Sequence, residues 1–302
     1  MIIPPAAELA RRYRVTNGSR FRLKDIDPAD RWGKRLKPIA GQILKQGHKH
    51  IANLQERLYA QDRWSVLLIF QALDAAGKDS TIKHVMTGVN PQGCEVTAFK
   101  TPSSEELDHD FLWRTTRCLP RRGHIGIFNR SYYEETLVVR VHQNILARQQ
   151  LPQELVTKNI WRERFEDINA FERYLTRQGV VIRKFFLHVS KDEQRERFLE
   201  RLEEPEKNWK FSATDVGERA HFSAYMSAYE DMIRHTSTEW APWFVVPADR
   251  KWFTRLVVSN VIIDALQSLD PRYPVIDPRT REELARVKTS LEAEQRRKSP
   301  KK

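Results

Sequence analysis

The sequence is poor in cysteine, with Cys94 and Cys118 as its two members among 302 residues. Two thiols are too few for a disulfide framework or a zinc cluster, and their scarcity favours a reducing compartment. Eleven glycines and 15 prolines exclude a collagen-like or low-complexity chain. The longest apolar run, Val66–Phe70, falls far short of the roughly 20 residues that a membrane-spanning helix requires.

The first residues, MIIPPAAELARRYRV, lack the basic segment and the following apolar segment of a secretory signal. Together with the scarcity of cysteine, this absence predicts a cytoplasmic protein that has no membrane partner. The length suits one large α/β domain with enough chain to bury a core.

The positive charge is concentrated at the two ends of the chain. The formal net charge is +12, from 52 Lys+Arg and 40 Asp+Glu. Residues 1–50 carry a net charge of +8 and residues 281–302 a net charge of +4, so residues 51–280 are neutral overall. A charge of this size indicates a polyanionic partner, and nucleic acid is not excluded by charge alone.

Apolar runs and helical patterns alternate along the chain after residue 60. The apolar runs predict strands at Trp64–Gln71, Glu95–Phe99, His124–Phe128, Val180–Val189 and Trp243–Val246. The helical patterns predict helices at Gly77–Val89, Ser103–Leu119, Leu151–Arg177, Ser190–Leu202 and Phe253–Leu269. Ser103 with Glu106, and Ser190 with Glu193, have the spacing of a capping box. The alternation predicts a doubly wound α/β fold, with a parallel sheet of about five strands and helices on both faces.

The chain has no Gly/Ser-rich linker, so we predict one domain with extensions at both ends. Residues 1–60 are predicted to form an irregular, basic N-terminal arm and a helix at Pro38–Ala60 that packs on the core. Residues 61–280 are predicted to form the core, with a lid at about residues 203–222. Residues 281–302 are predicted to form a basic, disordered tail.

The segment after the first strand has the spacing of a Walker A phosphate-binding loop. Ala72 is followed after four residues by Gly77 and Lys78, and alanine replaces the first glycine of the pattern. Backbone N–H groups at the start of a helix bind phosphate oxygens in such a loop, and the lysine adds a mobile positive charge. The residues predicted to bind phosphate are Ala75, Ala76, Gly77, Lys78, Asp79 and Ser80. The alternative is an ordinary strand–turn–helix connection with an incidental lysine.

Asp74 is unusual inside a loop of this kind. A carboxylate repels phosphate unless a cation lies between the two groups or the carboxylate binds the incoming nucleophile. Asp79 replaces the hydroxyl residue that usually follows the lysine, which weakens the assignment of a hydroxyl ligand to Mg²⁺. We therefore predict that Asp74 and Lys78 are catalytic and that Asp74 also holds the metal.

A second polar site follows the strand predicted at His124–Phe128. The carboxyl ends of parallel strands lie at one edge of a sheet, so this site is expected beside the loop. Asn129 stands where a Walker B acid usually approaches Mg²⁺, and Glu134 follows one helical turn later. Asn129 and Glu134 are predicted metal ligands, and Arg130 is a predicted catalytic residue that stabilises the transferred group. A helix N-terminus with surface charges would show the same residues.

A third segment, from Glu203 to Arg219, is rich in basic and aromatic residues. Nucleotide kinases carry a basic lid at this place, which closes over the phosphates and excludes water. Lys207, Lys210 and Arg219 are the predicted phosphate-binding residues of this lid. A solvated helix face would carry basic residues equally well.

Taken together, these segments closely resemble polyphosphate kinase family 2, the P-loop enzymes that transfer phosphate between inorganic polyphosphate and nucleotides. The resemblance covers roughly residues 35–270 and rests on the motifs LDAAGKDSTIKHV, GVNPQG, FKTPSSEEL, HDFLWR, IGIFNRSYYEE, FFLHVSKDEQ, PEKNWKFS and TSTEWAPWFVVPADRKW. FNRS and HDFLWR are most similar to the subgroup described as class III, which accepts both AMP and ADP. The resemblance implies a thymidylate-kinase-like three-layer sandwich with a helical lid, and a homo-oligomer.

The same resemblance implies that the chain transfers the terminal phosphate of polyphosphate to AMP and ADP, making ADP and ATP. The reaction would be reversible, direct and in-line, assisted by Mg²⁺ or by Mn²⁺ as its substitute, with guanine nucleotides as further acceptors. Other family members have aspartate at the position of Asn129, so Glu134 or Asp74 would carry more of the metal binding.

The resemblance also implies a site for the acceptor nucleotide. Lys100, Arg114 and Arg117 lie where related kinases hold the acceptor mononucleotide. Asp110, within the HDFLWR motif, is a further candidate contact.

Two other functions remain open from the sequence. An ATP-dependent nucleoside-monophosphate kinase shares the loop, the lid and the fold, although Asp74 and Asp79 in the loop argue against it. A P-loop nucleic-acid-binding protein would use the basic ends of the chain, but a catalytic aspartate in the loop has no purpose in such a protein. Incubation with polyphosphate, Mg²⁺ and ADP, without another donor, distinguishes the first alternative from a polyphosphate kinase.

Overall fold

The computed structural model describes residues 6–32, 34–209, 212 and 216–298. The chain divides into two compact units, one that ends at Pro271 and one that begins at Arg272. The strands of the first unit are β1 (Arg14–Val15), β2 (Ser65–Gln71), β3 (Cys94–Ala98), β4 (Ile125–Asn129), β5 (Val180–His188) and β6 (Trp243–Pro247).

The helices of the first unit lie between and after these strands. They are α1 (Ala6–Arg12), α2 (Ala40–Gln61), α3 (Lys78–Val85), α4 (Ser104–Leu107), α5 (Trp113–Thr116), α6 (Val138–Val141), α7 (Gln143–Leu146), α8 (Ile160–Arg177), α9 (Lys191–Glu203), α10 (Pro205–Asn208), α11 (Phe222–Thr236) and α12 (Lys251–Gln267). The second unit contains α13 (Pro278–Lys298).

The six strands form one sheet in the order β3-β4-β2-β5-β6-β1. Strands β2 to β6 are parallel, and β1 pairs antiparallel with β6 at the edge. The parallel α/β sheet predicted from the sequence is confirmed, and β1 adds one strand to it. Strands β3 and β4 lie on one side of β2, and strands β5 and β6 lie on the other side. The carboxyl ends of β2, β4 and β5 therefore meet where an open α/β sheet binds its ligands.

The central strands are buried on both faces, which makes the first unit a three-layer sandwich. Val66, Leu68 and Phe70 of β2 pack with apolar residues of α2, α3 and α12 on one face. Leu67 and Ile69 pack with apolar residues of α8 and α11 on the other face. The alternation follows from the two-residue period of a strand, and full burial explains why β2 reads as a continuous apolar run.

The N-terminal arm is not irregular as the sequence suggested, because α1 and β1 lie within it. Leu9, Ala10 and Tyr13 are each at most 3% exposed and belong to the main core. The predicted helix at Pro38–Ala60 is confirmed as α2. The two-residue strand β1 is too short to show any period in the sequence.

The predicted helix at Ser103–Leu119 is wrong, because the structure has two four-residue helices, α4 and α5, separated by a loop. The capping box of Ser103 and Glu106 is confirmed at the start of α4. The Asp110 carboxylate accepts a hydrogen bond from the backbone N–H of Leu112 at 2.9 Å. Aspartate side chains that bond the local backbone compete with helix, which explains the break.

Of the second predicted capping box, at Ser190 and Glu193, one of the two hydrogen bonds is confirmed. The Ser190 hydroxyl accepts from the backbone N–H of Glu193 at 3.1 Å, as a helix cap does. The backbone N–H of Ser190 donates to the Asp249 carboxylate at 2.8 Å, whereas the Glu193 carboxylate pairs with Arg197. Asp249, which follows β6, thus accepts the hydrogen bond that Glu193 would accept in a complete capping box.

The prediction of a disordered tail is wrong over most of its length, because α13 covers residues 278–298. The Asp277 carboxylate accepts hydrogen bonds from the backbone N–H and the hydroxyl of Thr280, which caps this helix. Its sequence is rich in Ala, Glu, Leu, Lys and Arg, all strong helix formers. Residues 299–302 lie outside the described residues.

Candidate active site at the carboxyl edge of the sheet

The loop between β2 and α3 has a constrained backbone. Ala75 has a φ of 62° and Gly77 a φ of 98°, both in the left-handed region. An added Cβ on Gly77 would lie 3.3 Å from the Ser80 Oγ, so glycine suits this position sterically as well as conformationally. A non-glycine residue at positive φ persists only where its surroundings impose it, which applies to Ala75.

Lys78 is buried at the mouth of this loop, with 9% of the residue exposed. Its Nζ donates to the carbonyl oxygens of Ala72 at 2.7 Å and Leu73 at 3.3 Å. Burial lowers the pKa of Lys78, and the neighbouring Arg130 lowers it further. The carboxylates of Asp74, Glu134 and Asp79 oppose this change in the pKa.

Two residues of α9, neither of them expected from the sequence, bind the backbone of the loop. The Arg197 Nη1 donates to the carbonyl oxygens of Ala75 at 3.2 Å and Ala76 at 2.7 Å. The Gln194 Nε2 donates to the carbonyl oxygen of Asp74 at 3.0 Å. Gln194 and Arg197 lie three residues apart and so share one face of α9. The helical spacing of these two polar residues is visible in the sequence, but their burial is visible only in the fold.

Arg130 joins the loop to the end of β4. Its Nη2 lies 2.7 Å from the Asp74 Oδ1, and its Nη1 lies 3.1 Å from the Glu134 Oε2. The two carboxylates, that of Glu134 first, raise the pKa of Arg130. The Gln71 Nε2 also donates to Glu134 at 3.1 Å. Three predicted site residues therefore form one ion-pair cluster beside Lys78.

Asn129 does not join the other two predicted metal ligands. Its Nδ2 donates to the Asp79 Oδ1 at 2.8 Å, whereas Asp74 and Glu134 both pair with Arg130. Among the described residues, no group of three His, Cys, Asp or Glu side chains is arranged to hold a metal ion. A metal at this site would therefore need oxygen atoms from the substrate or from water as further ligands.

An open cleft of about 480 Å³ lies in front of the loop. Its lining includes the predicted residues Asp74, Ala75, Gly77, Lys78, Asp79, Ser80, Lys100, Asn129 and Arg130. Arg197, Arg201 and Lys251 add positive charge to the same cleft, Glu200 pairs with Lys251 there at 3.3 Å, and Trp209 lies at its wall. The cleft thus brings basic side chains and loop N–H groups to one concave surface, which suits a chain of phosphates.

Arg219 binds α9 beside the loop. Its Nη1 donates to the Gln194 Oε1 at 2.8 Å and to the carbonyl oxygen of Lys191 at 3.1 Å. Together with Asp74 and Arg130, it lines a second cavity of about 40 Å³. The other two predicted lid residues fall outside the description, because the side chain of Lys207 and the whole of Lys210 are not among the described parts of the chain.

Comparison with known proteins identifies the family of this chain. Residues 39–274 match the family described as Polyphosphate kinase 2 (PPK2). The chain belongs to the polyphosphate kinase 2 family. The predicted family resemblance is confirmed, and with it the P-loop kinase fold and an enzyme that transfers phosphate.

Two curated relatives and one solved structure show how closely the polyphosphate kinase resembles known members. The chain is 50% identical over 280 residues to an ADP-polyphosphate phosphotransferase of Rhodopseudomonas palustris, covering 90% of this chain and 97% of the relative. It is 44% identical over 265 residues to an AMP/ADP-polyphosphate phosphotransferase of Meiothermus ruber, covering 87% and 95%. The crystal structure of Polyphosphate Kinase 2 from Arthrobacter aurescens matches with a TM-score of 0.84 at 39% identity, covering 94% and 98%.

The residues predicted to bind the nucleotide in this polyphosphate kinase lie in different surroundings. Arg114 is buried and donates to the carbonyl oxygen of Lys100 at 2.8 Å. Arg114 and the exposed Asp110 line a separate cavity of about 90 Å³, whereas Lys100 lines the large cleft. The Arg117 guanidinium lies 4.6 Å from the centre of the Trp113 ring. Lys100 and Arg117 therefore do not line the cavity that Asp110 and Arg114 share.

The length and apolar character of its helices determine whether any helix of this polyphosphate kinase could span a membrane. Over the residues that the structure describes, none of the helices combines the length and the apolar character needed to cross a bilayer.

Proposed function

We propose that this polyphosphate kinase transfers the terminal phosphate of inorganic polyphosphate to AMP and ADP, making ADP and ATP, by direct and reversible in-line transfer. The names of the R. palustris and M. ruber relatives support ADP and AMP as acceptors. The observation that carries the proposal is the cluster of Asp74, Arg130 and Glu134 beside the buried Lys78. Guanine nucleotides as acceptors, the class III subgroup, a homo-oligomer and a cytoplasmic location remain predictions.

The proposed roles follow from charge and position. Polyphosphate would lie in the large cleft, where the N–H groups of the loop and nearby basic side chains bind its oxygens. Lys78 and Arg130 would stabilise the charge that develops on the transferred group. Phosphates need no deprotonation near neutral pH, so Asp74 would position groups rather than act as a strong base. Lys207, Lys210 and Arg219 would add phosphate contacts in the proposed lid at residues 203–222.

Transfer in this family requires a divalent metal, and we propose that the metal is Mg²⁺, replaceable by Mn²⁺. Mg²⁺ is typically held by one or two carboxylates together with substrate phosphates, and the residues at this site fit that arrangement. Asp74 and Glu134 would supply the carboxylates, and Asn129 an amide oxygen. When bound, the ion would neutralise the facing phosphate charges. Arg130 would then exchange part of its pairing with Asp74 for contacts with phosphate oxygens.

The decisive experiment uses polyphosphate as the sole phosphoryl donor. Purified enzyme is incubated with Mg²⁺ and polyphosphate, separately with AMP, ADP, GMP and GDP, and the products are separated by ion-exchange chromatography. We expect ADP from AMP, ATP from ADP, and shorter polyphosphate in both reactions.

The control replaces polyphosphate by ATP with AMP as the acceptor. Transfer from ATP to AMP, combined with no transfer from polyphosphate, would contradict the proposal and identify an ATP-dependent nucleoside-monophosphate kinase. Adenylate kinase carried over from the expression host is excluded by repeating the assay with Lys78→Met, which we expect to be inactive.

A further inference from the structure

Gln194 connects a basic residue of the site to the backbone of the phosphate loop. Its Oε1 accepts from the Arg219 Nη1 at 2.8 Å, and its Nε2 donates to the carbonyl oxygen of Asp74 at 3.0 Å. Gln194 is 3% exposed, so water does not compete freely for either bond. A single buried amide thus spans the distance between Arg219 and Asp74.

The chemistry of this position requires a primary amide. A guanidinium group only donates hydrogen bonds and a carbonyl oxygen only accepts them, so their bridge must accept at one end and donate at the other. Among long side chains, glutamine meets both requirements. Glutamate would place a second acceptor against the Asp74 carbonyl, and an apolar residue would remove the bonds to both half-buried partners.

The bond to Asp74 has a consequence for phosphate binding. In a trans peptide unit, the carbonyl group and the N–H of the next residue point in opposite directions. Since Gln194 holds the carbonyl of Asp74 towards α9, the N–H of Ala75 points away from α9. Arg197 holds the carbonyl of Ala76 in the same way, and so directs the N–H of Gly77. Ala75 and Gly77 both line the large cleft.

We propose that Gln194 is a positioning residue for phosphoryl transfer, which orients the Asp74–Ala75 peptide unit and couples its orientation to Arg219. Gln194 acts through the loop and does not contact the reacting atoms. The proposal rests on the functions proposed above for Asp74 and Arg219. It predicts that Arg219, when drawn towards a phosphate, changes its contact with Gln194 and through it the support of the loop.

The first test compares two buried amides replaced by methionine. We expect Gln194→Met to lower kcat with polyphosphate and ADP about tenfold. Gln55→Met is a control for removing a buried amide away from the site, because Gln55 is 1% exposed on α2 and lies beside Gly93. The control variant should change the thermal unfolding midpoint but keep kcat within twofold of wild type. A kcat for Gln194→Met within twofold of wild type, at saturating substrates, would overturn the proposal.

The second test asks whether Gln194 acts together with Arg219. If both belong to one linkage, Gln194→Met should lower kcat about tenfold in the wild-type protein and less than threefold in an Arg219→Met background. The loss of unfolding free energy on Gln194→Met measures the structural effect in the same two backgrounds. Independent effects on kcat, which multiply in the double variant, would reject the coupling.

A third variant keeps the proposal testable if methionine destabilises the fold. Gln194→Glu keeps the size and the acceptor for Arg219 but places a carboxylate oxygen against the Asp74 carbonyl. We expect it to fold, with Arg219 still paired, and to lose at least tenfold in kcat. Wild-type kcat in a folded Gln194→Glu protein would also overturn the proposal. If Asp74→Asn and Arg219→Met have no effect on kcat, the proposed site fails; if both lower it and the Gln194 variants do not, only this inference fails.

Discussion

Asp74 is held at two points, one on its side chain and one on its backbone. Its carboxylate pairs with Arg130 at 2.7 Å, and its carbonyl oxygen accepts from Gln194 at 3.0 Å. Such fixation reduces the reorganisation needed when phosphates bind. The pairing with Arg130 also answers the puzzle posed by the sequence, because a guanidinium group lies beside the carboxylate that would otherwise repel phosphate.

The first prediction concerns the charge of Asp74. Replacing it by asparagine preserves the size of the side chain but removes the negative charge that pairs with Arg130. We expect Asp74→Asn to lower kcat with both AMP and ADP by about 100-fold or more, the order found when one group that stabilises the transition state electrostatically is removed. Steady-state rates measured at saturating Mg²⁺ and polyphosphate test this, and near-normal rates with both acceptors would refute the assigned role.

The second prediction concerns His188, at the end of β5. Burial lowers its pKa from 6.5 to about 4, although the nearby Asp249 and Asp27 oppose this change. The unfolded chain therefore takes up a proton at His188 near pH 6.5, while the folded protein resists protonation until about pH 4. The contribution to stability is present above pH 6.5 and is lost as the pH falls towards 4.

Urea unfolding at pH 7 and pH 5 measures this contribution. Wild-type stability should fall by about 2 kcal/mol more between these pH values than that of His188→Gln, which has no imidazole to protonate. Comparison with the variant removes the effect of carboxylates that titrate in the same range. Equal losses in the two proteins would contradict the lowered pKa of His188.

The helix α9 links stability to the site, because it presents Gln194 and Arg197 to the loop and is fixed at its start by Ser190. The Ser190 hydroxyl caps the helix, and its backbone N–H binds Asp249 after β6. Movement of this terminus would move both loop-holding residues together. The start of α9 therefore connects the last strand to the phosphate loop.

The third prediction tests this cap. Ser190→Ala removes the acceptor for the backbone N–H of Glu193 and should reduce the free energy of unfolding by about 1 kcal/mol. Ser190→Thr retains a hydroxyl group and should keep most of the wild-type stability. Urea unfolding of both variants provides the measurement, and equal midpoints for the alanine variant and wild type would show that the cap contributes nothing.

The distribution of charge over the whole molecule separates the neutral middle of the chain from its basic ends. Residues 51–280 are neutral overall, yet the large cleft gathers Lys78, Arg130, Arg197 and Lys251. Anion binding in this cleft would therefore depend on local clustering of basic side chains rather than on total charge. The N-terminal arm contributes to the core through α1 and β1, so its removal would disturb the fold as well as the charge.

The fourth prediction therefore changes charges in the arm without deleting it. The exposed basic residues chosen for replacement by glutamine are Arg11, Arg20 and Lys24. If the arm steers or extends the binding of polyphosphate, the triple variant should bind long chains about fivefold more weakly at low salt, with little change for triphosphate. Isothermal titration with chains of defined length measures both affinities.

The control neutralises three basic residues in the second unit, with the replacements Arg279→Gln, Arg281→Gln and Arg286→Gln. It removes the same total charge from the other basic end of the chain. Equal weakening by both triple variants would indicate a general charge effect and would argue against a specific role of the arm.

Much of the fold was predictable because its signals are local. The apolar run of β2, the alternation of strands and helices, and the box of Ser103 and Glu106 each depend on residues close in sequence. The break between α4 and α5 was missed, because the contacts of Asp110 with the local backbone outweigh helical periodicity. The edge strand β1 was missed for another reason, since its pairing with β6 joins residues more than 200 positions apart.

The sequence by itself determined that a phosphate loop follows a buried strand, that Asp74, Lys78, Arg130 and Glu134 belong to one site, and that the chain resembles the polyphosphate kinases. These conclusions depend on residue type and spacing, which a linear sequence displays. Only the tertiary structure decided that Asn129 binds Asp79 and that Gln194 joins Arg219 to the loop. Those contacts connect different elements of the fold, and their partners are set by how strands and helices pack rather than by any local pattern.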